Sequence, residues 1–580
     1  MLLDYIDNPA DLKRLTTEQL NILSQEIRHL LIDKISKTGG HLGGNLGIVE
    51  CTIALHYVFN SPIDKIVYDV SHQCYTHKIL TGRKKNYTDK DKYYEISGYT
   101  NPKESEHDNF IVGHTSTSVS LASGLCKARD LLGEKYNVIA VIGDGSLSGG
   151  EALEGLDFAG EYSGNFIIVV NDNGMSIAEN HGGLYKNLKE LRESKGECAN
   201  NIFKSFGLDY LFVDDGNDIE KLLSAFKSVK NTNKPIVVHI CTEKGKGYRF
   251  AEDNKEGWHW HAPFCIEDGQ SKHSNLNEYV EYTRDLLIDK VRNNDKIAIV
   301  CAGTPGAIGF TPEYRKALGR NFIDVGIAEE HAVAMISGMA KAGTKPIFCV
   351  QSSFLQRCYD QLSQDLALNE SSAIILVYSS GIFLLKDVTH LGIFDISYTC
   401  NIPSLTCVSP SSFSELKNSI DNAIDSNCGP IIIRVPTVTF YSKYNTKIEY
   451  ESKQYFVAER GSKIAILALG SLFTVGEELY ELLKDKNVDA TLINPLFADR
   501  VDDSLLKELL KDHYIFITME DGIVEGGFGQ KISAALSPFG VKVFCYGYKK
   551  QFIDRYDVKE KLIENKIDAK IIYSEIKKNI

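Results

Sequence analysis

Several features that assign proteins to specialised classes are missing from this chain of 580 residues. Its 13 cysteines include no Cys-x-x-Cys pair and no zinc-ligand spacing, so they predict neither a zinc site nor a disulfide framework. The 64 lysine and arginine residues are outnumbered by 77 acidic residues and form no basic block, so we expect no nucleic-acid partner. The longest apolar runs have only the length of a strand, which predicts no membrane span.

The first residues also lack the pattern of a targeting segment. Asp4, Asp7 and Asp11 are acidic and no long apolar run follows them, so we expect neither a secretory signal nor a transit peptide. Cysteines such as Cys241, Cys301 and Cys349 lie within apolar runs, where they act as small hydrophobic residues. Together these features favour a reducing, cytoplasmic location.

The chain contains instead a long alternation of strand and helix patterns. After Thr16 and Thr17, apolar residues at helical spacing predict an opening helix. Runs rich in valine and isoleucine then predict buried parallel strands at 138–142, 166–170, 236–240, 296–300, 346–350, 373–378, 405–408, 430–435, 463–467, 489–493, 514–518 and 542–546.

This alternation predicts an α/β protein of three doubly wound domains with mostly parallel sheets. We place the domains at residues 1–285, 286–448 and 449–580. The stretch from Lys244 to about Asn275 reads as a loop-rich connector, although it contains the unusual cluster Trp258-His259-Trp260-His261.

Two polar motifs follow neighbouring predicted strands. Asp144, in Gly143-Asp144-Gly145, comes after the first strand, and Asn173 comes after the second. Either motif alone is ordinary turn chemistry. Together they place oxygen ligands for Mg²⁺ or Ca²⁺ at one sheet edge, beside glycines and a helix, predicted at about 148–159, that suit a diphosphate. The pair therefore predicts a metal–diphosphate site and indicates thiamine diphosphate.

Histidines form the second informative set, because they fall in polar or glycine-rich loops near predicted strand ends. A lone histidine is more often structural than catalytic. Several near the carboxyl ends of parallel strands could exchange protons with carbonyl and hydroxyl oxygens of a substrate. The set consists of His41, His72, His114, His259, His261 and His390.

Glu329 begins a predicted helix in the second domain. A helix dipole alone would account for acidic residues at this position. Thiamine chemistry, however, requires one carboxyl group beside the aminopyrimidine ring, in a water-poor pocket that raises its pKa. Phe354 could stack on that ring, although an aromatic residue here could equally belong to the core.

At these residues the chain resembles the 1-deoxy-D-xylulose-5-phosphate synthase family, within the wider transketolase family, over essentially its whole length. The resemblance rests on the sequences at 38–47, 72–83, 327–333, 354–357 and 359–361. It implies the thiamine-diphosphate-binding fold, a homodimer, and an active site whose diphosphate and pyrimidine halves come from the first and second domains.

The resemblance also implies a role for individual residues. Mg²⁺ would be held by Asp144, the side chain of Asn173 and the main-chain oxygen of Met175. Glu329 would be the activating carboxylate and Phe354 the pyrimidine stacker. His41, His72, His390 and one of His259 or His261 would face the substrate, and the sequence leaves that last choice open. The cofactor-contacting positions would be His72, Gly113, His114, Thr115, Gly145, Ser146 and Tyr248.

The chain departs from the family pattern where the acceptor's phosphate would bind. Ser379 and Thr437 replace two arginines that bind the phosphate of glyceraldehyde 3-phosphate. Lys386 replaces a substrate-binding aspartate, and either substitutes for the lost positive charge or simply faces solvent. Other departures are Gln351 for tyrosine, Ser71 for glycine, Gly44 for serine, and a shortened region after Met175.

The resemblance implies a carboligase that uses thiamine diphosphate and Mg²⁺, decarboxylates pyruvate and transfers the two-carbon unit to an aldehyde. The acceptor is glyceraldehyde 3-phosphate or a variant aldehyde. One alternative is a transketolase that moves a glycolaldehyde unit from a ketose donor. Another is a non-catalytic, cofactor-binding paralogue. The product could feed isoprenoid, thiamine or sugar biosynthesis, and the sequence leaves these three pathways open.

Overall fold

The protein is represented by a computed structural model that describes residues 1–271, 277–426, 428–438, 444, 450 and 454–580. Its strands form three sheets. The chain divides into two compact units, one comprising Met1–Asn275 with Gly326–Ala328 and the other Leu276–Val325 with Glu329–Ile580. The first unit contains one sheet and the second unit contains two.

The first sheet is entirely parallel, with strand order β1-β2-β3-β5-β4. Alternate residues of β2 and β3 pack into two different apolar clusters, so helices and loops cover both faces. This is the doubly wound arrangement that continuous apolar strands predict. The strands are β1 (Lys65–Tyr68), β2 (Val138–Gly143), β3 (Phe166–Asp172), β4 (Asp209–Val213) and β5 (Pro235–Cys241).

The second sheet is also parallel, with order β10-β11-β9-β8-β6-β7. It places β9 and β8 at the centre, so the loops that follow them leave from the middle of one edge. Its strands are β6 (Ile297–Cys301), β7 (Phe322–Asp324), β8 (Lys345–Gln351), β9 (Ile374–Tyr378), β10 (Thr406–Val408) and β11 (Ile431–Arg434).

The third sheet has order β12-β14-β13-β15-β16 and is parallel except for β12, which runs antiparallel to β14. The prediction of an α/β protein with mostly parallel sheets is confirmed. The strands are β12 (Phe456–Glu459), β13 (Lys463–Ala468), β14 (Ala490–Asn494), β15 (His513–Ile523) and β16 (Lys542–Tyr548).

The opening helix spans Thr17–Thr38 and begins where predicted, because the side chain of Thr16 accepts the N–H of Gln19. Its apolar stripe, Leu20, Leu23, Ile27 and Leu31, is fully buried. The other long helices are Val49–Val58, Ser118–Leu132, Gly150–Glu161, Gly183–Glu193, Ile219–Val229, Glu278–Asn293, Glu329–Lys341, Phe413–Asp425, Phe473–Asp485, Phe528–Leu536 and Ala569–Ile576.

Shorter α-helices complete the connections between these elements. They are Pro9–Leu12, Gly43–Gly47, Tyr75–Lys78, Lys85–Thr88, Ile202–Ser205, Arg249–Asp253, Pro312–Leu318, Ser352–Leu355, Tyr359–Gln361, Asp395–Thr399, Asp503–Leu509 and Val558–Glu564. Within the described ranges, no helix combines the length and the apolar composition needed to cross a bilayer.

One of the two predicted domain boundaries falls inside a helix, and the other lies outside the described residues. Residue 285 falls inside the helix Glu278–Asn293, which packs on β6 of the second sheet, whereas the compact units divide near residue 275. The boundary between residues 448 and 449 lies outside the described residues. The three-domain division itself stays a prediction.

Candidate active site

The two predicted metal-binding motifs follow neighbouring strands of the first sheet. Gly143 of β2 pairs with Asn171 of β3, so Asp144 and Asn173 leave the sheet at the same edge. Asp144 is only 1% exposed. A short 3-10 turn, Gly145–Ser148, separates it from the helix Gly150–Glu161, which the sequence predicted about two residues earlier. The two motifs therefore lie at one edge of the sheet, beside a helix, as the sequence predicted.

Asp144 holds its proton unusually tightly. Burial, together with the negative charge of nearby Asp172, raises its pKa to about 7. Burial would raise the pKa of Asp172 too, but hydrogen bonds from His239 and Arg192 outweigh it and lower that pKa. Nη1 of Arg192 lies 2.7 and 2.6 Å from the two Asp172 oxygens. A cation at Asp144 would relieve the repulsion between these two carboxyl groups.

Within the described part of the chain, one amide beside Asp144 leaves an oxygen atom without a hydrogen bond. The Asn180 amide donates to Asp144 Oδ2 over 2.8 Å, while Asn180 Oδ1 is buried with no hydrogen-bond partner among the described residues. Asn173 Oδ1 accepts the N–H of Met175 at 3.2 Å. A buried carboxyl beside an unsatisfied amide oxygen suits a hard divalent cation, so the residues present fit Mg²⁺.

A buried lysine, Lys244, lies near enough to Asp144 for their charges to interact. Lys244 Nζ donates to the Ser176 carbonyl at 2.6 Å, and burial lowers its pKa to about 8. Gly145 could not be replaced without movement, because an added Cβ would lie 2.7 Å from Ser176 Oγ. The chain after Asn173 is thus packed closely against the Gly-Asp-Gly turn.

Gly113, His114 and Thr115 lie in the loop before the helix Ser118–Leu132. Asp69, directly after β1, fixes the turn that follows them, because its carboxylate accepts the N–H groups of Ser116 and Ser118 at 2.8 and 2.9 Å.

Ser116 Oγ in turn donates to the carbonyl of Ser146, at 2.8 Å. The N–H of Asp144 also donates to the carbonyl of Asn171 at 3.1 Å, so the predicted cofactor-contacting segments 113–115, 144–146 and 173–175 are linked through their neighbours within one unit.

Three predicted histidines lie in mutual contact. The ring centroids of His41 and His72 are 5.0 Å apart, and that of His259 lies 5.4 Å from His41 and 5.1 Å from His72. Burial, with Lys244 and the other two histidines, lowers the pKa of His259 well below its usual value. Its Nδ1 has no hydrogen-bond partner within the part of the chain that the structure describes. His259 is therefore a neutral imidazole near pH 7.

His261 has a different environment. Its ring stacks on Trp258 with a centroid distance of 4.0 Å, and its Nδ1 lies 2.7 Å from the Ala262 carbonyl oxygen. Tyr248 belongs to the same aromatic cluster, and its hydroxyl donates to the carbonyl of Ile266. The geometry groups His259, and not His261, with the other predicted histidines.

Asn45 connects the loops that carry His41 and His72. Its side-chain amide donates to both of their carbonyl oxygens at 2.7 Å, and its Oδ1 accepts the N–H of Tyr75 at 2.9 Å. The residue is completely buried. One amide thus sets the separation of two candidate catalytic loops.

In the second unit, Glu329 is the first residue of the helix Glu329–Lys341 and is 3% exposed. Burial raises its pKa to about 7, although Arg357, whose Nη1 lies 3.7 Å from Oε2, opposes the shift. Glu329 Oε2 is buried and accepts no hydrogen bond from the described residues. The carboxyl has the water-poor setting that thiamine chemistry requires.

Phe354 and His390 lie together in this unit. Phe354, in the short helix after β8, has its ring centroid 5.4 Å from that of His390. His390 Nδ1 is 3.1 Å from Asp387 Oδ1. Burial raises the pKa of Asp387, but His390 and Thr389 outweigh it and lower the value to about 2. Asp387 is therefore a fixed carboxylate that orients the imidazole.

Neither of the two positions where the family has an arginine carries a cation in this chain. Ser379 follows β9 in a left-handed conformation, with φ of 57°, and is half-buried. Thr437 is buried, and its hydroxyl has no hydrogen-bond partner among the described residues. Lys386 is exposed, and Gln351 ends β8 half-buried.

Sequence reasoning missed three residues that shape the site. Asp69, Asn45 and Asn180 act through hydrogen bonds to backbone groups or to Asp144. Asp69 carried a readable signal, since it follows the apolar run of β1. The other two depend on contacts between distant segments, which no local pattern reveals.

Comparison with known proteins identifies the family of the chain. A family model described as 1-deoxy-D-xylulose-5-phosphate synthase matches residues 3–199 and 192–242. The transketolase pyrimidine binding domain matches residues 288–440, and the transketolase C-terminal domain matches residues 454–545.

Curated relatives extend the similarity to nearly the whole chain. A 1-deoxy-D-xylulose-5-phosphate synthase of Clostridium beijerinckii is 38% identical, over 96% of each chain. Synthases of Lachnoclostridium phytofermentans and Caldanaerobacter subterraneus subsp. tengcongensis are 37% identical, over 99% and 98% of this chain and 98% of each relative. With motifs, site geometry and relatives in agreement over this length, the chain belongs to the 1-deoxy-D-xylulose-5-phosphate synthase family.

Proposed function

We propose that the protein is a carboligase that uses thiamine diphosphate and Mg²⁺ to decarboxylate pyruvate and transfer the two-carbon unit to an aldehyde. The observation that carries the proposal is Glu329. A buried carboxyl with a pKa of about 7, at the head of a helix, can give and take a proton at the aminopyrimidine ring near neutral pH.

The first unit would hold the metal and the diphosphate. Asp144, the side chain of Asn173 and the main-chain oxygen of Met175 would bind Mg²⁺, with the buried oxygen of Asn180 close to Asp144. Gly113, His114, Thr115, Gly145, Ser146, His72 and Tyr248 would contact the cofactor. The bound cofactor supplies a carbon nucleophile and an electron sink, which protein side chains lack.

The chain's own histidines would transfer protons to and from the substrates. His259 is neutral near pH 7 and lies against His41 and His72, so this cluster can accept a proton from a substrate hydroxyl. His390, held by the ionised Asp387, would exchange a proton with the oxygen of the aldehyde acceptor. Phe354 would stack on the pyrimidine beside His390.

We propose further that the acceptor differs from glyceraldehyde 3-phosphate in how its tail is recognised. Ser379 and Thr437 offer no charge to a phosphate. Charge-assisted hydrogen bonds contribute roughly 1.5–3 kcal/mol each, so two lost arginines correspond to a hundredfold or greater loss of affinity. An unphosphorylated aldehyde, or one bound through Lys386, fits this site better.

The assembly would be a homodimer that works in the cytoplasm. Family membership and the absence of disulfide-type cysteine spacing support this proposal. Sedimentation velocity tests the dimer directly, since the sedimenting mass should be twice that of the chain. A mass equal to one chain at micromolar concentration, with cofactor present, would contradict it.

The first experiment measures carbon dioxide release from carboxyl-labelled pyruvate, with thiamine diphosphate and Mg²⁺ present. We expect release that an aldehyde stimulates, with a 1-deoxyketose as the product. Glyceraldehyde and glyceraldehyde 3-phosphate should be compared at equal concentration, and the unphosphorylated aldehyde should stimulate at least as well. No release with any aldehyde, together with turnover of a ketose donor, would replace the proposal with a transketolase.

A further inference from the structure

The loop between β9 and the helix Asp395–Thr399 is closed at its base. The N–H of Gly381 donates to the carbonyl of Gly392 at 2.7 Å, and the two residues form an isolated β-bridge. We call residues 381–392 the acceptor loop, because Lys386, Asp387 and His390 lie within it. Its tip contains no regular secondary structure, and inside it Asp387 bonds to Thr389 and His390. Contacts from outside the loop hold the rest of its backbone.

Three consecutive residues of the C-terminal part bind the backbone of this loop. The Tyr556 hydroxyl lies 3.0 Å from the carbonyl oxygens of both Ile382 and Leu385. The N–H of Arg555 donates to the carbonyl of Lys386 at 2.6 Å. Asp554 Oδ1 accepts the N–H of Val388 at 3.1 Å. Residues 554–556 therefore contact four backbone groups between positions 382 and 388.

Apolar packing supports the same contact. Ile382 and Leu391, near the two ends of the acceptor loop, are buried in one cluster with Ile553 and Tyr556. Arg555 adopts a left-handed conformation with φ of 45°, which is unfavourable for a residue with a side chain. Its Nε donates to Asp554 Oδ2 at 2.8 Å. With Arg555 in this conformation, the side chains of Asp554 and Tyr556 on either side of it both reach the acceptor loop.

We propose that Asp554, Arg555 and Tyr556 are positioning residues for the acceptor step. They fix the backbone of the acceptor loop, and through it the placement of Lys386, Asp387 and His390. None of the three is placed in the metal or cofactor machinery. The inference rests on the proposed function only where it names the acceptor; the contact between the two segments stands by itself.

The contact is tested first without any catalytic readout, by hydrogen–deuterium exchange of the whole cofactor-free protein. In Tyr556→Phe and Asp554→Ala, peptides covering residues 382–390 should exchange about fivefold to tenfold faster, since each variant loses a hydrogen bond to that segment. Asp554→Asn keeps an acceptor oxygen for the Val388 N–H, so its exchange should stay near that of the parent.

Tyr546→Phe is the matched control. Tyr546 lies in the same apolar cluster, but its hydroxyl donates to Glu575, at 3.1 Å, and not to the acceptor loop. Its removal should leave exchange in residues 382–390 unchanged. Unchanged exchange in Tyr556→Phe and Asp554→Ala, with the proteins folded, would overturn the inference.

Kinetics then separate positioning from general damage. Tyr556→Phe and Asp554→Ala should raise the aldehyde KM about fivefold or more. The first-turnover release of carbon dioxide from pyruvate alone should stay within twofold of the parent. An equal loss in both steps would overturn the positioning role. Faster loop exchange in a protein that releases no carbon dioxide would instead overturn the proposed function and leave the contact established.

Discussion

At the scale of single residues, the site depends on burial more than on residue type. Glu329 and Glu330 are adjacent carboxylic acids, but only Glu329 is fully buried, and burial raises the pKa of Glu329 to about 7. His259 and His261, two residues apart, differ in their neighbours instead: His259 lies against His41 and His72, whereas His261 stacks on Trp258. The chemistry of each side chain therefore follows from its surroundings.

Burial of the Glu329 carboxylate costs folding free energy at high pH. Glu329→Gln should therefore be more stable than the parent at high pH, and not at low pH. A carboxyl whose folded pKa is about 7, against 4.5 ordinarily, favours folding below pH 4.5 and loses that contribution as the pH rises through 7. Above pH 7 the variant should exceed the cofactor-free parent by at most about 3 kcal/mol, and near pH 5 the two should converge. Urea unfolding at pH 5 and pH 8 measures the difference.

The same variant should lose turnover while it keeps most of its affinity for thiamine diphosphate. Glu330→Gln is the control, since it removes the neighbouring, half-buried carboxyl and should leave both properties near the parent. A Glu329→Gln protein with full activity would contradict the role we assign. So would a stability difference that is the same at both pH values.

At the scale of elements, the histidine cluster depends on how two loops are held together. His41 follows the opening helix after two glycines, and His72 follows Val70 and Ser71, which both have positive φ. Neither loop has regular structure to fix its distance from the other. Asn45 supplies that connection, through one amide group bonded to both carbonyl oxygens.

Asn45→Ala should therefore reduce carbon dioxide release from pyruvate about tenfold or more, since the imidazoles lose their fixed separation. Three lost hydrogen bonds should also reduce the free energy of unfolding by about 2–3 kcal/mol. Steady-state assays and denaturant unfolding measure the two effects.

Asn217→Ala separates these two effects. Its amide donates to the Gly47 carbonyl and to Glu50, both at 2.9 Å, and to neither histidine loop. It should lower stability by a comparable amount while activity stays near the parent. Equal losses of activity in the two variants would show that Asn45 acts only through stability.

At the scale of the whole molecule, a buried arginine joins the second and third sheets. Arg434, at the end of β11, binds Asp395 through Nε at 2.8 Å and Asp521 of β15 through Nη1. Its side chain is 2% exposed, so both ion pairs are shielded from water. Removal of the arginine leaves two buried carboxylates with no cation between them.

Arg434→Met should reduce the free energy of unfolding by about 3–5 kcal/mol, the usual cost of breaking a buried ion pair. The expected calorimetric result is a lower midpoint, or separate transitions for the two sheets. Arg460→Met is the control, because Arg460 forms an exposed pair with Glu508 and should change stability by less than about 1 kcal/mol. A similar midpoint for both variants would contradict the structural role of Arg434.

The sequence predicted the sheets better than it predicted the contacts between loops. Strands such as β2 and β3 consist largely of continuous apolar runs, which are typical of buried parallel strands. The missed strands β1, β4, β7 and β12 are short or partly polar. A run this short contains too few apolar residues for its sequence pattern to predict a strand. Their existence depends on neighbours that are distant in sequence.

For the site, motif spacing predicted which residues lie at strand ends, because parallel strands all finish at one sheet edge. It left the choice between His259 and His261 open, since the turn at Trp258 decides which ring faces His41. It did not reveal Asn45 or the segment 554–556, and it singled out Asp69 no more than any other residue after an apolar run. Those residues act through hydrogen bonds to backbone groups, and such partners can be read only from coordinates.

The closed base of the acceptor loop has a consequence for how the protein can evolve. Because Gly381 and Gly392 are joined directly, changes at the exposed positions between them, Leu384 and Lys386, leave both ends of the loop in place. Closing a slightly longer or shorter loop changes the chain entropy by well under about 1 kcal/mol. The exposed part of the loop can therefore change in sequence, and with it the acceptor preference, while His390 and the residues that contact the cofactor keep their places.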